Sequence, residues 1–72
     1  MSETTNERIV VGTVIESLPN TTFRVEVPDQ EKPILAYLSG KMRKFRIKIM
    51  IGDKVEVVTD KAAEKGRISR RL

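Results

Sequence analysis

The chain has 72 residues with neither cysteine nor histidine, is 39% hydrophobic, and contains three aromatics, Phe23, Tyr37 and Phe45. That length allows at most one domain, since domains usually run to roughly 100 residues, and no disulfide or thiolate metal site can hold its core together. The net charge of +4 divides unevenly: residues 1–36 carry three bases and six acids (−3), and residues 37–72 carry eleven bases and four acids (+7), which makes a polyanion the first partner to consider.

Met1 to Glu7 is polar and without period, and reads as a flexible tail ahead of a single domain over residues 8–72. It has neither the charged start nor the apolar run of a signal peptide. No stretch approaches the roughly 20 apolar residues of a membrane span, so a cytoplasmic protein is expected; a monomer is expected as well. Arg8 to Glu16 then gathers Ile9, Val10, Val11, Val14 and Ile15 around Gly12 and Thr13. A β-branched run this dense predicts a strand, and the glycine inside it predicts a bulge or sharp bend.

Leu18-Pro19-Asn20-Thr21 is turn chemistry, with proline fixing φ and asparagine tolerating positive φ. Thr22 to Val27 alternates, with Phe23, Val25 and Val27 on one side and Arg24 and Glu26 on the other, which predicts a hairpin. After the polar break Pro28 to Pro33, the residues Ile34, Ala36 and Leu38 form the inward face of a third strand. Gly40 to Arg46 loses the two-residue period and gains helix formers behind Ser39, a candidate N-cap, so a short helix or helical turn is expected. Ile47, Ile49 and Ile51 restore the period before the turn at Gly52-Asp53. Lys54 to Thr59 is a fourth strand with Val55 and Val57 inward. Asp60 to Gly66 reads as a loop with room for a helical turn at Ala62-Ala63, and Arg67 to Leu72 as a closing strand anchored by Ile68.

Five short strands with one helical insertion between the third and fourth predict an all-β, five-stranded barrel of the oligonucleotide-binding (OB) type. An SH3-like barrel shares the periodicity but is disfavoured by the helical insertion.

Without histidine or cysteine, the commonest general base, thiol nucleophile and metal ligands are missing, so neither enzyme activity nor a cofactor is expected. Asp53, Glu56 and Asp60 lie close enough to suggest a cation site. Asp53 follows a turn glycine, however, and Glu56 sits on a strand among lysines, so these read as surface acids and no metal is expected.

The basic residues fall in two runs: Lys41 to Lys48 has five bases and no acid, and Lys65 to Leu72 has four bases and no acid. On a helical turn Lys41, Arg43, Lys44 and Arg46 cannot share a face and fan out around a knob. Arg43, Arg46, Arg67, Arg70 and Arg71 suit phosphates best, because the guanidinium fork pairs in two places and can stack on a base. Phe45 has two readings, a plug for one barrel end or a platform for an unpaired base. Tyr37 and Phe23 read as packing residues. So few aromatics leave binding to charge and shape, which favours a structured RNA. The competing readings are a free RNA chaperone of the cold-shock type and a basic barrel that meets an acidic protein.

Four segments, GTVIESLPNTTFRVEV (Gly12 to Val27), AYLSGKMRK (Ala36 to Lys44), IKIMIGDKVEV (Ile47 to Val57) and KGRISRR (Lys65 to Arg71), closely resemble the bacterial and organellar translation initiation factor one family. The likeness covers nearly everything after the tail. It implies an OB barrel of the S1-like kind that docks on the small ribosomal subunit at the aminoacyl-tRNA site, against rRNA of the decoding region and beside a ribosomal protein. There the family blocks premature tRNA entry and assists the other initiation factors, and its basic loop displaces two adenines from their stack. Carried over by position, the RNA contacts fall on Lys41, Arg43, Lys44, Lys48, Lys65 and Arg67, with Arg70 and Arg71 from the basic tail; Met42, Phe45 and Arg46, which lie in the same loop, complete the candidate RNA-binding set. Two departures stand out. The family commonly has an aromatic two residues before the position of Lys48, where this chain has Arg46, and a Pro-Tyr-Asp motif before KGRI, which is absent here.

Overall fold

The β-branched segment Arg8–Leu18 forms one long strand, β1, in which the buried positions include Gly12 and Val14. Strands β2 (Thr22–Glu26) and β3 (Ile34–Leu38), the short helix α1 (Gly40–Lys44), and strands β4 (Lys54–Thr59) and β5 (Lys65–Arg71) follow. A computed structural model of the chain describes residues 8–60 and 64–72. The expected tail at residues 1–7 and the helical turn at Ala62-Ala63 lie outside the described residues. Strand β5 starts two residues earlier than the closing strand expected from the sequence.

The strands close a barrel in the order β1-β2-β3-β5-β4. β1 is long enough to serve two walls: Arg8 to Thr13 pair antiparallel with β4, and Thr13 to Leu18 pair antiparallel with β2. The β2–β3 and β4–β5 pairs are also antiparallel, and β3–β5 is parallel. This five-stranded barrel with a helix between β3 and β4 is the OB fold rather than the SH3-like alternative.

The two-residue period sets the core. Phe23, Val25 and Val27, then Ile34, Ala36 and Leu38, then Val55 and Val57 all point inward and are joined by Val14 and Ile68. Each of the larger side chains contributes about 1.5–3 kcal/mol by leaving water. Met42 and Ile49 complete the core from outside the sheet.

Two details differ from the sequence-based expectation. The irregularity in β1 falls between Val14 and Glu16, not at Gly12. Gly12 instead permits a close crossing. A Cβ there would stand 2.5 Å from the carbonyl oxygen of Glu26 and 2.6 Å from Cγ1 of Val25, so only glycine lets β1 pass this close to β2. Second, the Ile47-Ile49-Ile51 period does not make a strand: Ile47 is half-buried, Ile49 buried and Ile51 65% exposed. The Asp53 carboxylate accepts the Met50 N–H at 2.9 Å, and Gly52 has φ +100°, so the chain turns before Ile51 can reach the core. Gly52 N–H to Val14 O (2.8 Å) and Val14 N–H to Asp53 O (2.9 Å) fasten this turn to β1.

Candidate nucleic-acid interface

The basic knob is built from its caps inward. Ser39, in extended conformation, accepts the Met42 N–H on its hydroxyl oxygen at 3.2 Å, which satisfies one of the donors that a helix start leaves open. Its own N–H donates to Ile68 O at 3.1 Å, so the knob is anchored on β5 from its first residue. Met42 points into the barrel at 1% exposure, and this fixes the rotation of the helix: Lys41, Arg43 and Lys44 face water.

The C-terminal end is closed by two bonds, Arg46 N–H to Arg43 O (3.1 Å) and Ile47 N–H to Met42 O (3.0 Å). This is the Schellman pattern, with Arg46 at φ +55° in the left-handed place that glycine usually takes. Ile47 packs against the same core as Met42, as the hydrophobic contact of that pattern requires.

Lys41, Arg43, Lys44, Arg46 and Lys48 are exposed around the knob and the connection that follows it. Phe45 is 62% exposed, which removes the plug reading, and Lys44 Nζ lies 5.9 Å from its ring centroid, within cation–π range. Met42 is corrected: its buried side chain anchors the knob instead of offering a contact surface. Arg71 Nη1 donates to Lys48 O at 2.9 Å, and a groove of about 310 Å³ runs between Lys41, Met42 and Ile47 on one side and Ser69, Arg70 and Arg71 on the other. Barrel closure thus brings the first basic run to the end of the second.

Lys65 and Arg67 do not join that groove. They line a second cleft of about 380 Å³ with Tyr37, Val58, Thr59, Asp60 and Gly66. The β5 run is therefore divided between two clefts. Tyr37, expected to pack, is 48% exposed on the outer wall. The signal was in the alternation: once Ile34, Ala36 and Leu38 face inward, Leu35 and Tyr37 must face outward.

The nearby acids have structural work. Glu16 pairs with Arg24 at 2.8 Å across β1 and β2, Asp53 caps Met50, and Glu56 accepts the Ser69 hydroxyl at 3.1 Å. Among the described residues no group of three or more carboxylates is placed to hold a metal ion, and no helix is long and apolar enough to cross a membrane. Chemically, the described face offers cationic donors and aromatic rings.

A family model described as translation initiation factor 1A / IF-1 matches residues 1–72. The chain belongs to that family. It is 49% identical over 61 residues to translation initiation factor IF-1 of Rickettsia akari (strain Hartford), over 83% of this chain and 84% of the relative. The solution structure of the corresponding translation initiation factor from the Wolbachia endosymbiont strain TRS of Brugia malayi matches with a TM-score of 0.75 at 38% identity, covering 99% of this chain and 84% of that one. The crystal structure of YjeQ from Thermotoga maritima matches with a TM-score of 0.74 at 32% identity over 90% of this chain but only 23% of its own. The barrel alone thus recurs inside a longer protein, whereas the IF-1 relatives match along most of their length. A translation initiation factor of the OB fold is what sequence and architecture agree on.

Proposed function

We propose that this protein binds the small ribosomal subunit at the aminoacyl-tRNA site, blocks premature tRNA entry there and assists the other initiation factors, acting as a cytoplasmic monomer with a single domain over residues 8–72. Ribosomal RNA of the decoding region is the main contact, beside a neighbouring ribosomal protein. The observation that carries this reading is the knob: buried Met42 and the Ser39 N–H on β5 hold it in one orientation, so that Lys41, Arg43, Lys44 and Phe45 project together.

Such a projection suits RNA that must be rearranged as well as neutralised. Unstacking a base costs a few kcal/mol. Stacking on an aromatic ring offsets about 1–3 kcal/mol, and Phe45 is exposed for it. Arg43, Lys44, Lys48, Arg70 and Arg71 supply phosphate contacts whose worth falls as salt rises.

The test is co-sedimentation of the folded protein with isolated small subunits at low salt, together with protection of RNA bases in the decoding region. Binding is expected to be lost in Arg43→Glu with the fold unchanged, since an exposed charge contributes little to stability. Folded wild-type protein that stays in the supernatant at low salt would show the reading to be wrong.

A further inference from the structure

We propose that the turn between β1 and β2 is a positioning element for the knob, with Thr21 as its central residue: the turn holds the end of β3 and so sets the angle at which the helix leaves the barrel. Among the described residues the non-glycine positions with positive φ are Asn20 (+64°), Thr21 (+54°) and Arg46 (+55°). Arg46 closes the knob. The other two sit in the turn that meets the knob's entry, so left-handed residues bracket the projecting segment at both ends.

The left-handed region suits asparagine but not threonine, whose branched Cβ crowds its own backbone there. Such an outlier persists only where its surroundings over-determine it. The Thr21 hydroxyl donates to Asn20 O at 2.6 Å, and the Thr22 hydroxyl donates to the same oxygen at 3.3 Å, so two side chains lock the turn from within. Thr21 O in turn accepts the Leu38 N–H at 3.3 Å, which carries the β2–β3 ladder one step beyond the pair of Thr22 with Tyr37. Leu38 precedes Ser39, whose own N–H donates to Ile68 O. The base of the knob is therefore gripped at two consecutive residues, by the β1–β2 turn at Leu38 and by β5 at Ser39. Glycine would take the left-handed position without strain but would bring no hydroxyl to hold it. Threonine gives up stability for a fixed carbonyl.

This role rests on the proposed contact of the knob with the small subunit, but its first readout is on free protein. Hydrogen exchange of the Leu38, Ser39 and Met42 amides should quicken in Thr21→Gly, while its thermal midpoint holds or rises as the strain is relieved. Small-subunit affinity should fall about five-fold, within the range by which residues off the contact surface modulate binding. Thr21→Ser keeps the hydroxyl without the branch and should restore both protection and affinity. Unchanged exchange at those amides in Thr21→Gly would overturn the proposal, as would unchanged affinity, or a loss in Thr21→Ser equal to that in Thr21→Gly. Weaker binding with unaltered exchange would mark Thr21 as a direct contact and likewise count against it. Should wild-type protein fail to bind small subunits, the ribosomal reading falls, while the exchange data still decide whether the turn holds the knob.

Discussion

Arg71 reaches back from the end of β5 and donates a hydrogen bond from Nη1 to the main-chain carbonyl of Lys48 at 2.9 Å. This joins the last strand to the connection that leaves the knob, 23 positions earlier in the chain. The bond is exposed, so its weight lies in positioning more than in stability.

Arg71→Met keeps the aliphatic stem and removes the bond. It is expected to cost no more than about 1 kcal/mol of stability while loosening residues 45–49. Hydrogen exchange should show faster exchange there, and small-subunit affinity should fall further than in Arg70→Met, which removes the same charge. Equal losses from the two variants would reduce Arg71 to a charge.

The knob's entry is set by Ser39, whose hydroxyl accepts the Met42 N–H. Ser39→Ala is expected to destabilise the fold by about 1 kcal/mol. In a domain of this size that lowers Tm by roughly 4–8 °C. Thermal melts of Ser39→Ala against wild type check this, and an unchanged midpoint would show that the cap carries no weight.

Arg46 occupies a left-handed position, φ +55°, at the knob's exit. Arg46→Gly relieves that strain but frees the unfolded chain, for a net gain of about 0.5 kcal/mol. RNA affinity should move in the opposite direction, since the proposed interface loses a cationic side chain. Denaturant melts and subunit binding on the same variant would show stability and binding pulling apart.

Much of this was legible in the sequence, because a pleated strand imposes its period of two on every residue. Phe23, Val25 and Val27 and then Ile34, Ala36 and Leu38 could only face one way once either triplet was assigned inward. The same rule places Tyr37 outside, yet residue type suggested packing, and only the barrel wall shows the ring exposed. Ile47, Ile49 and Ile51 mimic a strand because spacing carries no information about the turn that Asp53 closes on Met50. The bulge near Ile15 was not legible either, since register is set by two partner strands at once. The basic residues are visible in the sequence as two runs. Their division in space is not, because only the threading of β5 sends Arg70 and Arg71 to the knob and Lys65 and Arg67 to the second cleft.

Gly12 offers a sharper test of packing. An added Cβ meets backbone at 2.5 Å, which no side-chain rotation can relieve. Gly12→Ala is expected to cost about 3 kcal/mol or more, a large fraction of the roughly 5 kcal/mol that holds a small domain together. A thermal melt followed by circular dichroism should find Tm lowered by about 12 °C or more, and a melt within a few degrees of wild type would contradict the close approach of β1 and β2.

The parallel β3–β5 ladder has a kinetic consequence. It joins Leu35 to Lys65 and Leu38 to Ile68, each partner thirty positions further along, so a long loop must close before the first of these bonds can form. The knob lies inside that loop, and its two anchors, Met42 in the core and the Ser39 N–H on Ile68, exist only afterwards. A chain still unclosed therefore carries every positive charge and none of the shape. On the proposed RNA-binding reading, it attracts RNA diffusely along its length, and recognition begins in the same step that completes the barrel.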